Sequence, residues 1–245
     1  KHQGSCVYAG GDDVLAFLPL DTCFSCAWEL HEAFREAFEG FVKKMNDART
    51  AESRLTVPTL SVGVAVAHML ENFADLLDLG RQAEKLAKNC RKGQSKDFER
   101  NGLGVLVCAR GNAVLQVRRQ WNRPIGEKRL DQWIASWVED FSTGSLPRSF
   151  CRDLRELPNL YVSWETGNND FCKAIAAEGM RLLSRKQLKM NSHRKEELTN
   201  RFGECSSLED LHDLVQEVLI ARRLALSWEY SPGSQKELVE GGLES

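Results

Sequence analysis

The chain has 245 residues, of which 42% are hydrophobic and 28% are charged, and its formal net charge is −2 at pH 7. This composition excludes collagen-like, disordered and disulfide-scaffold proteins, and the balance of charge argues against a general polyanion binder. Eight cysteines are too few for a disulfide framework, so we expect reduced thiols and a cytoplasmic protein. The longest stretch without a charged side chain, 55–70, is too short to cross a bilayer as a helix, so we expect no membrane partner.

The first part of the chain predicts an α+β domain that covers residues 1–121. Apolar runs on either side of a glycine-rich acidic turn predict a β-hairpin, and apolar residues at helical spacing predict a long helix after it. In chain order, we predict strands at 5–8 and 14–18, a helix from about 21 to 45, a strand at 60–67 that is largely covered on both faces, a helix that begins at Asn72, and strands at 102–108 and 114–117.

The spacing of apolar residues also predicts which faces of these two helices are buried. In each set the residues recur mostly every three or four positions, as one face of a helix requires. For the first helix, the predicted buried residues are Cys26, Leu30, Phe34, Phe38, Phe41 and Met45. For the second helix, they are Phe73, Leu76, Leu77, Ala83, Leu86 and Cys90.

The composition changes near residue 122, and strand signals almost vanish beyond it. Residues 122–126 contain a proline and form the predicted linker, so we predict a separate helical domain over 127–245. Its predicted helices cover 129–141, 146–157, a segment capped by Asn169, and a segment from Ser206 to about Ser227 that opens with capping-box spacing. Most of the tryptophans lie at or after Trp121, which favours an aromatic-rich helical core.

The glycine-rich turn carries the clearest chemical signal in the chain, and it consists of Gly10, Gly11, Asp12 and Asp13. Two glycines allow positive φ angles and let a phosphate approach the backbone closely. Two adjacent carboxylates repel each other unless a cation neutralises them, and hard oxygen ligands of this kind select Mg²⁺ or Mn²⁺. On its own, the motif is equally typical of a solvated turn.

Four pieces of the sequence, in order, resemble the palm domain shared by GGDEF diguanylate cyclases, class III nucleotide cyclases and the large subunit of type III CRISPR effector complexes. They are the hairpin at 7–16, the long helix, the strand at 60–65, which resembles the family's "SxGxA" strand, and the helix at 83–88, which resembles its "A-x-x-L-x-x-AK" signature. The Asp-Asp form of the turn is typical of the CRISPR subunit. The sequence after the strand and the closing helical domain resemble the Cmr branch of that family.

This resemblance implies a ferredoxin-like palm of the nucleotidyl cyclase and polymerase type, followed by an all-α domain. Such a palm begins with a strand and a helix that precede the hairpin. We therefore expect this palm to be incomplete at its N-terminus and the chain to be the C-terminal part of a larger subunit. We also expect these 245 residues to be inactive when they are separated from the rest of that subunit.

In the family, the palm makes cyclic oligoadenylate from ATP when the complex holds target RNA, through attack of a 3′-hydroxyl on an α-phosphate. The resemblance implies that Asp12 and Asp13 are catalytic and bind Mg²⁺ or Mn²⁺, and that Gly10, Gly11, Ser61 and Lys88 bind the nucleotide. Two alternatives stay open at this point. A serine in a buried strand can simply hydrogen bond to the backbone, and a lysine at a helix end is also typical of a solvated cation.

Two further functions stay open as well: a GGDEF-like diguanylate cyclase that uses GTP, and a non-catalytic scaffold subunit. The partners that the resemblance implies are the backbone and small subunits of a type III effector complex, bound through the C-terminal helical domain. The resemblance also implies guide RNA and target RNA as partners in the same complex.

Three other patterns favour structural roles. Cys23 and Cys26 have metal-ligand spacing, but no second pair lies nearby in the sequence. The dipeptide at 212–213 reads His-Asp, without the further His and Asp residues that a nuclease of that class needs. The basic run between 185 and 195 indicates a solvated helix end, with contact to RNA phosphates or to an acidic partner as the alternative.

Overall fold

The computed structural model describes residues 2–11, 13–47, 49–91, 94–108, 114–164, 169–185 and 190–228. The chain divides into two compact units, one of residues 1–114 with 118–122 and one of residues 115–117 with 123–245. The first unit mixes strands and helices and the second is dominated by helices, so the predicted α+β class with a helical C-terminal region is confirmed.

The element order of the first half follows the predicted order. The elements are β1 (Ser5–Gly10), β2 (Asp13–Phe17), α1 (Cys23–Asn46), β3 (Val62–Val66), α2 (Phe73–Lys88), β4 (Gly102–Cys108) and β5 (Val114–Gln120). The helices that follow are α3 (Leu130–Ser142), α4 (Phe150–Leu160), α5 (Asn169–Arg185), α6 (Ser192–Gly203) and α7 (Leu208–Trp228).

The strands form two separate sheets. β1 and β2 pair as an antiparallel hairpin, in which Gly10 lies opposite Asp13. β4 lies between β3 and β5 in a three-stranded sheet, and β3 runs parallel to β4. Parallel neighbours need a crossover connection, and α2 supplies it. In the described residues, neither strand of the hairpin pairs with a strand of the sheet that carries α2.

Helix α2 packs on its sheet through small residues on both sides. Ala83 and Ala87 are fully buried on the helix. A Cβ atom added at Gly104 of β4 would lie 2.6 Å from the Ala83 carbonyl oxygen and 2.7 Å from the Ala87 backbone nitrogen. A Cβ atom at Gly63 of β3 would collide with the backbone of the same helix near Ala83. The glycines thus let the helix backbone lie directly on the strands.

We predict that Gly63→Ala destabilises the first unit by about 1–3 kcal/mol or more, because its methyl group would push the backbone of α2 away from β3. Gly80→Ala is the matched control, since Gly80 lies on the same helix and a Cβ there meets nothing within 4 Å. That change should be neutral or stabilise by about 0.5–1 kcal/mol through helix propensity. Urea unfolding of both variants measures the difference, and equal free energies of unfolding would contradict the contact.

The buried face of α1 differs from the predicted one. The helix buries Cys23, Ala27, His31 and Val42. Of the predicted apolar face, Phe41 is 58% exposed, and the same face exposes Leu30, Phe38 and Met45 at 37–39%. The prediction was wrong about the face because apolar spacing identifies an aligned stripe but does not say whether the sheet meets that stripe or the neighbouring one.

In helix α2 the observed buried residues also differ from the predicted ones, but less than in α1. The helix was predicted to begin at Asn72 and begins at Phe73; Asn72 is its N-cap, because the Asn72 side chain accepts a hydrogen bond from the Ala74 backbone nitrogen at 3.0 Å. Ala83 is buried as predicted, whereas Phe73 is 57% exposed. The aromatic ring of Phe73 packs instead against Phe17 at the end of the hairpin, with ring centroids 5.9 Å apart.

The helices of the second unit agree with the prediction for α3, α5 and α7 to within a few residues. Helix α4 begins at Phe150 rather than at 146, and α6 was not predicted. The start of α7 is capped one residue later than expected, because the Ser207 hydroxyl accepts a hydrogen bond from the Asp210 backbone nitrogen at 3.1 Å. Helix α5 buries one face, which consists of Phe171, Ile175, Gly179, Leu182 and Leu183.

A charged pair lies in the core of the second unit. Arg201 of α6 and Glu217 of α7 are 2% and 1% exposed, and they form an ion pair at 2.9 Å. The Trp137 indole donates a second hydrogen bond to Glu217 at 2.8 Å. The guanidinium of Arg201 also lies 5.6 Å from the centre of the Trp133 ring. These contacts join α3, α6 and α7.

We predict that Glu217→Gln destabilises the second unit by about 3–5 kcal/mol, because it leaves the buried Arg201 guanidinium without a counter-charge. Glu178→Gln is the control, since Glu178 pairs with an Arg181 side chain that is 48% exposed. Loss of that pair should cost less than about 1 kcal/mol. Chemical denaturation followed by far-UV circular dichroism compares the two, and a Glu217→Gln cost no greater than the control would disprove the role of the pair.

Candidate nucleotide and metal site

The turn of the hairpin is short, open and exposed. Gly10 pairs with Asp13, which leaves a two-residue loop. Gly11 occupies the first loop position with a φ of +62°, and a Cβ atom there would meet nothing within 4 Å. Asp13 is exposed at the start of β2, and Asp12 lies outside the described residues. The tip therefore presents an exposed carboxylate two residues after the open Gly11 position, and the Tyr8 hydroxyl lies beside Gly10.

This arrangement fits a hard divalent cation that shares its ligands with a substrate. Mg²⁺ in proteins is typically bound by one or two carboxylates, with phosphate oxygens and water completing the octahedron. Asp13 supplies such a carboxylate at an open turn, where phosphates can approach. Within the described residues, no group of three or more His, Cys, Asp or Glu side chains could hold a metal ion on its own.

The two other predicted nucleotide residues belong to the β3–α2 layer. Ser61 lies directly before the first residue of β3, not inside the strand as predicted, and it is half-buried. Lys88 is the last residue of α2, and its ammonium group forms an ion pair with Glu84 one turn earlier. Its carbonyl oxygen accepts a hydrogen bond from the Arg100 backbone nitrogen at 2.8 Å. The end of the helix is therefore fixed, while the lysine side chain remains 42% exposed.

The first unit contains an aromatic cluster that was not predicted from the sequence. Trp28 and His31 of α1 stack with centroids 5.4 Å apart, and His31 stacks on Trp121 at 5.1 Å. Trp121 is the last residue of the predicted first domain, and it lies in the first unit. The spacing of Trp28 and His31, three residues apart on one helix, was the signal that could have indicated their shared face.

The three sequence patterns that favoured structural roles do not form a second chemical site in the described residues. Burial raises the pKa of the Cys23 thiol to about 12, so this cysteine is a poor thiolate ligand. His212 is exposed on α7. Of the predicted basic run, residues 186–189 lie outside the described residues, and Arg194 is neither solvated nor free for RNA. Its guanidinium donates to the Asp140 carboxylate at 2.7 and 3.1 Å.

Among the described helices, none is both long enough and apolar enough to cross a membrane.

Comparison with known proteins identifies relatives of the first half of the chain. Residues 1–97 match the family model described as Cas10/Cmr2, second palm domain. Over 81 residues the chain is 33% identical to the CRISPR system Cmr subunit Cmr2 of Pyrococcus furiosus. That match covers 33% of this chain and 8% of the Pyrococcus protein. The predicted resemblance to the Cmr branch is confirmed over the matched segment, which contains the hairpin, α1, β3 and α2.

Proposed function

We propose that residues 1–97 act as a nucleotide-binding palm in a subunit of a type III CRISPR effector complex, and that this palm joins ATP into cyclic oligoadenylate when the complex holds target RNA. One observation carries the proposal. Within the segment that matches the second palm domain, the exposed Asp13 carboxylate follows a turn in which the Gly11 position has open space around it. An open turn that carries a carboxylate suits a triphosphate and its cation.

The reaction in this proposal is attack of a ribose 3′-hydroxyl on the α-phosphate of ATP. A new P–O bond forms, and the bond to pyrophosphate breaks. The glycines at the turn let the triphosphate lie against the backbone, while Asp12 and Asp13 hold the divalent cation beside it. When bound, Mg²⁺ or Mn²⁺ supplies positive charge that favours the hydroxyl as a nucleophile and offsets charge on the departing pyrophosphate.

Two side chains of the β3–α2 layer have supporting roles in the same proposal. The Ser61 hydroxyl donates a hydrogen bond to the nucleotide. The Lys88 ammonium exchanges its Glu84 partner for the phosphates, because a dianionic or more highly charged group competes well for a partly exposed cation. As a flexible point charge, lysine suits a triphosphate tail better than the edge of a base.

We predict that the double change Asp12→Ala and Asp13→Ala abolishes oligoadenylate formation in the assembled complex. Loss of charge stabilisation at such a site commonly lowers turnover by ~10²-fold or more. Asp21→Ala is the matched control, since Asp21 is an exposed acid outside the hairpin, and it should leave turnover unchanged. Chromatography of ATP reactions with Mg²⁺ and with Mn²⁺ measures the product.

The same assay separates the alternative functions. If the double variant makes as much oligoadenylate as the unmodified protein, the hairpin takes no part in the reaction. Conversion of GTP rather than ATP by the unmodified protein would favour a diguanylate cyclase. Absence of product from either nucleotide in a complex that still assembles on target RNA would favour a scaffold.

We predict a smaller effect for Lys88→Ala, which should raise the KM for ATP and lower kcat, because metal and backbone contacts to the phosphates persist. Lys85→Ala is the control, since Lys85 is an exposed lysine on the same helix. Glu84→Gln adds a second comparison, because it releases the lysine from its ion pair and should not raise the KM. Initial rates over a range of ATP concentrations test all three. If Lys85→Ala raises the KM and lowers kcat while Lys88→Ala changes neither, the phosphates contact Lys85 rather than Lys88.

For the second unit, we propose docking onto the backbone and small subunits of the complex, which also holds guide RNA and target RNA. The supporting observation is an exposed apolar segment at the end of α4. Leu160 and Val162 are 63% and 66% exposed, and Trp164 is 48% exposed. Apolar and aromatic side chains at this level of exposure are typical of interaction surfaces.

A further inference from the structure

Two side chains of β5 reach back to the segment that connects α2 with β4. Arg118 and Gln120 lie two residues apart on the strand, so they project from the same face of the sheet. The Arg118 Nη2 donates to the Arg100 carbonyl oxygen at 3.0 Å. The Gln120 amide nitrogen donates to the carbonyl oxygens of Asp97, Glu99 and Arg100 at 3.0, 3.2 and 3.3 Å. We call Arg118 and Gln120 the β5 clamp.

The segment that the β5 clamp holds has a backbone conformation that L-residues rarely adopt. Arg100 and Asn101 have successive φ angles of +57° and +46°. Among the described residues, the other positive φ angles all belong to glycines. Strained backbone of this kind persists only where surrounding contacts hold it, and it is concentrated at functional sites. The β5 clamp supplies such contacts, together with the Trp121 backbone nitrogen, which donates to the Asn101 carbonyl oxygen at 2.8 Å.

The β5 clamp also reaches the last turn of α2. The Arg118 Nε donates to the Ala87 carbonyl oxygen at 3.3 Å. The Arg100 backbone nitrogen donates to the Lys88 carbonyl oxygen at 2.8 Å. Carbonyl groups at the C-terminus of a helix lack partners inside the helix, and they carry partial negative charge. The carbonyl groups of the last two residues of α2 are therefore both occupied, and Arg118 joins the strained segment to the end of the helix.

Gly102, the first residue of β4, leaves room for this contact. A Cβ atom at Gly102 would lie 2.5 Å from the Ala87 carbonyl oxygen and 3.1 Å from both the Nε and the Nη2 of Arg118. These are the two nitrogens that donate to the carbonyl groups. Gly102 itself is only partly exposed. The position of the guanidinium is thus built into the sheet, because a side chain at the start of β4 would displace it.

We propose that Arg118 is a positioning residue for Lys88. The inference rests on the proposed function, in which the Lys88 ammonium contacts the phosphates of ATP. Lysine has a flexible stem, and the freedom of that stem is lost when the ammonium binds. If the last turn of α2 also moved, the loss of backbone freedom would add to this cost. Arg118 restrains the turn in advance, because it holds the Ala87 carbonyl oxygen directly and the Lys88 carbonyl oxygen through Arg100.

Hydrogen–deuterium exchange of the 245-residue chain, followed by NMR, tests the restraint independently of activity. In Arg118→Ala, the Arg100 amide should exchange about 2- to 10-fold faster, as expected when a local hydrogen bond is lost. Arg119→Ala is the matched control, because Arg119 is a half-buried neighbour that projects from the opposite face of β5. It should leave this amide unchanged. Equal exchange of the Arg100 amide in Arg118→Ala and in the unmodified chain would overturn the proposal.

Steady-state kinetics of the assembled complex test whether Arg118 acts through Lys88. Arg118→Ala should raise the KM for ATP by about 2- to 10-fold, whereas a loss of folded protein alone would lower kcat and leave the KM unchanged. In a Lys88→Ala background, Arg118→Ala should not change the KM further, because no lysine is left to position. Arg118→Lys keeps a donor but lacks the planar fork, so it should raise the KM less than Arg118→Ala does. Arg119→Ala should leave the KM unchanged.

The results for Lys88 separate this inference from the proposed function. If Lys88→Ala raises the KM and Arg118→Ala does not, only the inference about Arg118 is overturned. Additive effects of the two changes on the KM overturn it as well, because they show that Arg118 acts independently of the lysine. If Lys88→Ala leaves the KM unchanged, the role of this lysine in the proposed function is wrong, and the inference about Arg118 is wrong with it.

Discussion

The close contact between α2 and its sheet is the constraint on which the first unit depends. Ala83 and Ala87 have no exposed surface, and the glycines opposite them leave no room for a side chain. This contact holds β3 and β4 parallel under one helix. It also explains physically why a glycine in the strand and alanines in the helix occur together in the signature that connects the chain to palm domains.

The proposed chemistry rests on a different kind of structure from this packed layer. The hairpin tip carries an exposed acid and a glycine with a positive φ, and its shape comes from local turn geometry. The cluster of Trp28, His31 and Trp121, in contrast, is built from segments far apart in the chain, namely α1 and the residue after β5. Local sequence therefore specifies the turn, and tertiary packing creates the aromatic cluster.

That distinction explains how much could be predicted from the sequence. The hairpin, the strand β4 and the start of α2 follow from short-range patterns, and they were predicted with nearly correct bounds. The buried face of α1 could not be predicted, because two neighbouring stripes of that helix both carry apolar residues. The aromatic cluster was not predicted because Trp121 is far from Trp28 and His31 in the sequence, and only the fold brings the three rings together.

The parallel pairing of β3 and β4 has a consequence for the order in which the first unit folds. A two-residue loop closes within microseconds, so the hairpin that carries Asp13 can form early from neighbouring residues. Val62 meets Leu103 only after the chain between them, including α2, has been brought into place. Such non-local contacts incur the entropy of closing a long loop and slow the search for the native topology. The carboxylate-bearing turn would accordingly take shape before the layer that carries Lys88.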